Sequence, residues 1–309
     1  MKILIELPTW LGDTVMATPA IENILLRFPN ASLVLISSNN ATEVLQNHPK
    51  VIKTFLLNKN VLSYYGFSKE IGSFDIFFTF RGSLRSRILK FFIKSTFKYQ
   101  FDKSIYINQH QVEKYNSFVC ESLKFVEKPN KLILHIEQQN TPSAVRPLLG
   151  INPGAAYGSA KKWDSEKFAE VAVILSKKYD IQIFGGPNEK DVAMKIEKIL
   201  IKYGVKNFKN FSGKTSINEL INYISMLDLF ITGDSGPMHI AAAFKIPTVA
   251  IFGPTNDTET AQWMNRKSAI IKKTLPCQPC MKRSCPLGHH NCMRFISAEE
   301  VLQIVEEIN

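Results

Sequence analysis

The stretch FITGDSGPMHIAAAFKIPTVAIFGP, residues 230–254, constrains the fold more tightly than any other part of the chain. Phe230, Ile231 and Thr232 suit a buried strand. Ser235 is placed to cap the next helix, and Pro237 suits its first turn. Val249, Ala250, Ile251 and Phe252 read as a second buried strand, which Gly253-Pro254 ends. Such a turn aims backbone N–H groups and a helix N-terminus at one spot, and that spot favours an anion such as phosphate. Asp234 and His239 flank it with groups able to hold a sugar or a base.

The same alternation runs through the whole chain, whose 309 residues suffice for two ordinary domains. Residues 3–7, 32–37, 51–57 and 75–80 read as strands, and 14–28 and 41–47 as helices, with a turn at 8–13. The polar, proline-bearing segment 137–147 is the candidate linker. Beyond it, 148–152, 181–184 and 228–232 read as strands. Residues 165–178, 188–203, 217–226 and 298–308 read as helices. These elements set a first domain at 1–145 and a second at 146–309, with the last helix free to pack back on the first domain. Strands alternating with helices imply parallel sheets covered on both faces. Ligands bind such sheets at the carboxyl ends of strands. The turns at 8–13, 152–163 and 233–239 are therefore the places to look for chemistry.

Composition narrows the class. The chain is 45% hydrophobic and 21% charged, as in globular proteins. No apolar run approaches the roughly 18–20 residues that span a bilayer, and the N-terminus does not read as a secretory signal. The expected location is the cytoplasm. Lys and Arg outnumber Asp and Glu by 11, which favours an acidic partner such as a nucleotide, a nucleic acid or an anionic lipid surface. Arg81, Arg85, Arg87, Lys90, Lys94, Lys98 and Lys103 form the densest basic cluster, interleaved with Phe91, Phe92, Ile93 and Phe97. A basic helix with aromatic residues can lie on a membrane interface, or can be an amphipathic helix with a solvated face.

Three further motifs carry candidate chemistry. In LPTWLGDTVMATPAI, Gly12 permits a tight turn and Asp13 stands at the expected helix start, as an N-cap or as a general base for a hydroxyl. In INPGAAYGSAKKW, a small-residue loop followed by Lys161 and Lys162 suits a diphosphate, although the Walker order is absent. In FGGPNEKD, Glu189 could accept hydrogen bonds from a ribose, or serve the helix dipole. The string GDSGP does not signal a serine protease, whose turn lies in an all-β context.

Taken in order, WLGDTVMATPAI, INPGAAYGSAKKW, FGGPNEKD and GDSGPMHIAAA resemble the lipopolysaccharide heptosyltransferases over nearly the whole chain. The resemblance implies a GT-B architecture: two Rossmann-like α/β domains with parallel sheets facing across a cleft. It implies an inverting transfer of L-glycero-D-manno-heptose from ADP-heptose onto the first heptose of the lipopolysaccharide (LPS) inner core, with no essential metal or other cofactor. Asp13 matches the catalytic base and Lys161 the lysine on the donor phosphate. Glu189 matches the acid on the ADP ribose and Asp234 a heptose contact, with Ser235, Gly236, Met238 and His239 in the donor loop. Gly154 and Ser159 complete the expected donor set. Gly12, Thr14, Arg81 and Arg85 form the expected acceptor set. Where relatives usually carry Thr or Ser in the phosphate loop, this chain has Ala155, Ala156 and Tyr157. The implied partners are ADP-heptose, a Kdo-lipid A-type core acceptor and the inner membrane leaflet, touched peripherally by a monomer. The alternatives are a nucleotide-sugar epimerase or hydrolase on the same scaffold, and a nucleic-acid-binding protein.

Cys277, Cys280, Cys285 and Cys292 fall within sixteen residues, with His289 and His290 among them. The spacing admits a structural zinc site, but the second pair lacks the C-x2-C form. Reduced thiols with no metal, or a disulfide made after lysis, are the expectation.

Overall fold

The computed structural model describes residues 1–37, 40–58, 60–136 and 145–308. It contains two compact units, Met1–Glu137 and Gln138–Asn309. Residues 137–144 of the expected linker lie outside the described residues.

The first unit runs β1 (Lys2–Glu6), α1 (Leu11–Met16), α2 (Thr18–Arg27), β2 (Ser32–Ser37), β3 (Val51–Leu56), α3 (Tyr64–Ile71), β4 (Ser73–Thr79), α4 (Leu84–Phe92), β5 (Lys94–Gln100) and α5 (Gln111–Leu123). Its sheet has the order β3-β2-β1-β4-β5, with every pair parallel. Leu4, Val34, Ile36 and Phe77 pack with Leu89 and Ile93 in one core. Phe78, Phe80 and Phe101 pack edge-on or tilted against Tyr115 and Phe118 of α5 in another. Both faces of the strands are covered, so β1 and β2 read as apolar runs without alternation.

Three expectations change here. The helix expected over 14–28 starts at Leu11 and breaks at Ala17. Pro19 explains the break: it has no N–H for the carbonyl four residues back, and the Thr18 hydroxyl donates to Val15 O instead (2.8 Å). The helix expected over 41–47 is a short 3-10 turn, Asn40–Val44. The basic stretch 81–103 is not one helix but α4 followed by β5. Because β5 is an edge strand, Lys94 and Lys98 have a structural use: charged residues on an edge discourage pairing with another chain.

The second unit runs β6 (Leu148–Asn152), α6 (Ser165–Leu175), β7 (Asp180–Ile183), α7 (Lys190–Lys202), β8 (Phe208–Asn210), α8 (Ile217–Ser225), β9 (Leu229–Gly233), α9 (Gly236–Ala243), β10 (Thr248–Ile251), α10 (Asp257–Thr260), β11 (Ser268–Ile271), α11 (Asn291–Arg294) and α12 (Ala298–Ile308). The sheet order is β11-β10-β9-β6-β7-β8, again all parallel. The closing helix packs on α6, β10 and β11 of this unit. Its apolar stripe supplies the reason, since Val301 and Val305 join the core that holds Phe168, Ile251 and Ile271.

Each sheet is open and changes winding direction once, between β1 and β4 in the first unit and between β6 and β9 in the second. The carboxyl ends of those strand pairs are where such sheets bind ligands.

Candidate active site

At the first switch point the chain leaves β1 and enters α1 within a few residues. Asp13 lies in the first turn of α1, not at its N-cap, which is Trp10. It is half-buried. Its carboxylate is close enough to Tyr115 on α5 to add to the effect of burial, which pushes that phenol well above its ordinary pKa. Gln111 and Lys114 share the buried side of α5 with Tyr115. Sequence reasoning missed this helix and so missed the residues around Asp13.

Two members of the expected acceptor set have other work. The Thr14 side chain is fully buried and its hydroxyl donates to Trp10 O (3.1 Å), which ties it into the helix. Arg81 donates to Glu6 Oε1 at 3.2 Å. Glu6 also accepts from Thr79 Oγ1 (2.5 Å) and Ser86 Oγ (3.0 Å). Burial raises the Glu6 pKa, against the lowering effects of Thr79, Arg81 and Ser86. Arg85 is exposed and Gly12 is buried.

The second switch point gathers a denser polar cluster. Lys161 ends a 3-10 turn, Ser159–Lys161, in the loop after β6. Its Nζ donates to Asp234 Oδ2 (2.5 Å) and approaches Asp234 O (3.3 Å). Thr255 Oγ1 donates to the same Oδ2 at 2.6 Å. Asp234 is 6% exposed, so this ion pair sits where solvent screens it weakly. The Lys161 Nζ also lies 4.7 Å from the centre of the Tyr157 ring. Tyr157 thus has a role that the hydroxyls usual at this loop could not fill: its π face steadies the lysine. Its own OH donates to Met281 O (2.8 Å). The far end of the loop is anchored by buried Trp163, whose Nε1 donates to Ile296 O (3.0 Å). Ser159 is exposed.

Glu189 lies beside this loop. Its Oε2 accepts the Gly186 N–H at 2.7 Å. The carboxylate fills the space beside Gly154 so closely that a Cβ there would stand 2.0 Å from Glu189 Cδ. Gly154 is therefore required for close approach rather than for backbone freedom.

The turn after β9 differs from expectation in one respect. Ser235 is the N-cap residue of α9, but its side chain does not cap the helix. It bonds Thr232 Oγ1 (3.0 Å) and accepts from Asn152 Nδ2 (3.3 Å), tying the ends of β6 and β9 together. Gly236 opens α9 half-buried. His239 is buried. Met238 is fully buried against Ala250 and Phe252, so its side chain serves the core, while its backbone N–H lies in the first turn of α9. Thr255 was missed by the sequence reading, although it directly follows the Gly253-Pro254 that ends β10, at a carboxyl end where ligand contacts were expected.

The structure thus brings Gly154, Lys161, Glu189, Asp234 and Ser235 together at one switch point, with Asn152 and Thr255 added. A lysine, a carboxylate and a small-residue loop at such a place can hold a nucleoside diphosphate sugar.

The model of a family described as "Glycosyltransferase family 9 (heptosyltransferase)" matches residues 67–291. The chain is 42% identical to lipooligosaccharide heptosyltransferase 2 of Campylobacter jejuni subsp. jejuni serotype O:2, over 98% of this chain and 97% of that protein. It is 23% identical to lipopolysaccharide heptosyltransferase 2 of Escherichia coli strain K12, over 100% of this chain and 98% of that protein. Its fold matches the solved ADP-heptose LPS heptosyltransferase II of E. coli, with a TM-score of 0.82 at 20% identity, covering 100% and 98% of the two chains.

Proposed function

The chain belongs to glycosyltransferase family 9, the heptosyltransferases, and from that premise we propose that it acts as heptosyltransferase II: it transfers L-glycero-D-manno-heptose from ADP-heptose onto the first heptose of the LPS inner core, with inversion. Membership makes it an enzyme of LPS core biosynthesis and sets aside the epimerase and nucleic-acid-binding alternatives. The observation that carries the finer reading is the Lys161–Asp234–Thr255 cluster beside Gly154 and Glu189.

As the anomeric carbon of the donor develops positive charge, the departing diphosphate gathers negative charge. Nζ of Lys161 has three protons and aims two of them at Asp234, which leaves the third for a phosphate oxygen. Backbone N–H groups in the first turn of α9 add to that stabilisation, because no side chain caps the helix. Glu189 holds the ribose hydroxyls. On the acceptor side, Asp13 takes the proton of the attacking hydroxyl as the new C–O bond forms and the bond to ADP breaks. ADP leaves without needing a proton, so one carboxylate suffices. The charge is handled by protein groups, and the reaction is proposed to need no metal or other cofactor.

The acceptor is a lipid-anchored, anionic Kdo-lipid A-type core. Among the described residues no helix is long and apolar enough to cross a membrane. The reading places the enzyme in the cytoplasm as a monomer, touching the inner leaflet through Arg85 and Arg87 beside exposed Leu84 and Phe91. The test is ADP release from ADP-heptose with truncated LPS acceptors carrying zero, one or two heptoses. Turnover is expected with the one-heptose acceptor alone. Equal turnover on the heptose-free acceptor would reassign the enzyme to the preceding transfer.

A further inference from the structure

Residues 272–290 run from β11 to α11 without helix or strand. A stretch of that length keeps one shape in a compact domain only when something fixes it. Hydrogen bonds fix its flanks to the donor loops. Gln278 Nε2 donates to Gly253 O (2.6 Å), the Met281 N–H to Pro254 O (2.9 Å) and the Ala160 N–H to Arg283 O (3.0 Å). At its centre is a cavity of about 20 Å³, walled by Cys277, Cys280, Cys285 and Cys292 with Ala160 and Pro254. That is room for one water-sized occupant. None of the four thiols is in a disulfide. Thiols are weak partners for water but strong ligands, as thiolates, for soft cations.

We propose that Cys277, Cys280, Cys285 and Cys292 hold one thiophilic divalent cation of the zinc or ferrous class in a tetrathiolate site. The ion cross-links residues 277–292, whose hydrogen bonds reach the loops that carry Ala160 and Pro254, and takes no part in the transfer. Sulfur is favoured over imidazole by the neighbouring bonds. His290 Nε2 lies 2.8 Å from Ala160 O and so carries the proton of that bond. His289 Nδ1 accepts the Asn291 N–H (3.0 Å). The His290 N–H donates to Cys285 Sγ (3.4 Å), a bond that favours the thiolate. The sulfurs stand wider than a closed ligand shell, so ligation must draw them inward. Each coordinating thiol releases its proton to solvent as its bond to the ion forms, and no electron is transferred.

A second group, Glu22, His48 and His135, has ligand atoms within 4.8 Å of one another, but its chemistry argues against a metal. His48 Nδ1 accepts the Lys50 N–H (3.1 Å). The His48 proton then lies on Nε2, facing Glu22 Oε1 at 2.9 Å, and that nitrogen has no lone pair to offer.

The test is elemental analysis of full-length protein purified under reducing conditions, without added metal. We expect about one zinc or iron per chain, and the same measurement says which. The Cys280→Ser/Cys285→Ser variant should lose the ion and melt at lower temperature, whereas Cys120→Ser should keep the full complement. Should the double variant fail to fold, chelator-stripped wild-type protein titrated with Co²⁺ decides: thiolate-to-cobalt charge-transfer bands are expected. Metal-free wild-type protein that gives no such bands would overturn the proposal, as would a folded double variant with undiminished metal.

Discussion

The two switch points each carry a carboxylate bonded to a cation from a following loop, and they are built for different ends. In the first unit Glu6 accepts from Thr79, Arg81 and Ser86, three donors from the end of β4, the next loop and α4. Thr79 holds Oε2, while Arg81 and Ser86 share Oε1, which fixes β1 against β4. In the second unit Asp234 is held by Thr255, and its cation is a lysine, a compact charge on a flexible stem. Lys161 reaches from a loop and rests over the Tyr157 ring, and the proposed mechanism gives its remaining proton to the donor. A charge ringed by fixed donors is structural, whereas a lysine tethered through one anion can turn to another. In the proposed mechanism that difference leaves the first unit with Asp13, in the first turn of α1, as the base.

The most damaging way to break this comparison is at Asp13. Asp13→Asn keeps the shape and removes the base, so kcat should fall by roughly 10²–10⁴, with ADP-heptose affinity by calorimetry unchanged. Turnover within a few-fold of wild type would move the base elsewhere. The two cations come next. Lys161→Met should lower kcat by about 10²–10³, as expected for a lost donor to the leaving group. It should also lower the melting temperature, because the buried Asp234 then keeps Thr255 but loses its cation. Arg81→Met should lower stability without the loss of turnover, because it strands the buried Glu6 carboxylate. Its unfolding free energy should fall by roughly 3 kcal/mol, with kcat of the folded fraction close to wild type. Exchanged phenotypes would refute the division between a structural and a ligand-facing pair.

Much of this was legible in the sequence, and what was not has a physical cause. The strand–turn–helix–strand around Asp234 could be read because strand, turn and helix signals are local. So could the importance of the turns at 152–163 and 233–239, which rests on a general rule for open sheets. Contacts between distant segments were not legible. Lys161 and Asp234 are 73 residues apart, and their bond depends on β6 and β9 lying side by side. That the Met238 side chain enters the core beside Gly236 was not legible either, since a helix turns successive side chains to different faces. Ser235 looked like a cap, yet its hydroxyl found a better partner on the neighbouring strand. α5 went unread because its buried face mixes Gln111, Lys114 and Asn116 with apolar residues, which blurs the helical period.

A smaller effect sharpens the donor side. Gly154→Ala places a methyl group in the space of the Glu189 carboxylate, which must swing away. The KM for ADP-heptose should rise about tenfold while kcat holds, the pattern of lost uniform binding. If the clash acts through Glu189, the Gly154→Ala/Glu189→Ala variant should be no worse than Glu189→Ala alone. Additive losses would mean that Gly154 meets the donor directly.

The smallest effect concerns Glu6 and pH. Burial raises its pKa above the unfolded value of about 4.5. The folded state therefore binds the Glu6 proton more tightly than the unfolded chain does. The stabilisation from that proton is full below the unfolded pKa and is lost as pH rises through the raised folded value. Glu6→Gln mimics the protonated form at every pH and keeps an oxygen for Thr79 or Ser86. Relative to wild type, its melting temperature should therefore improve as pH rises from the carboxylate range toward neutrality. A gain of 1 kcal/mol would appear as roughly 2–4 °C. Asp234→Asn, at the other switch point, should cost most of its activity over the same range. Parallel melting curves for wild type and Glu6→Gln across that range would show that Arg81 and the two hydroxyls fully compensate the burial of Glu6.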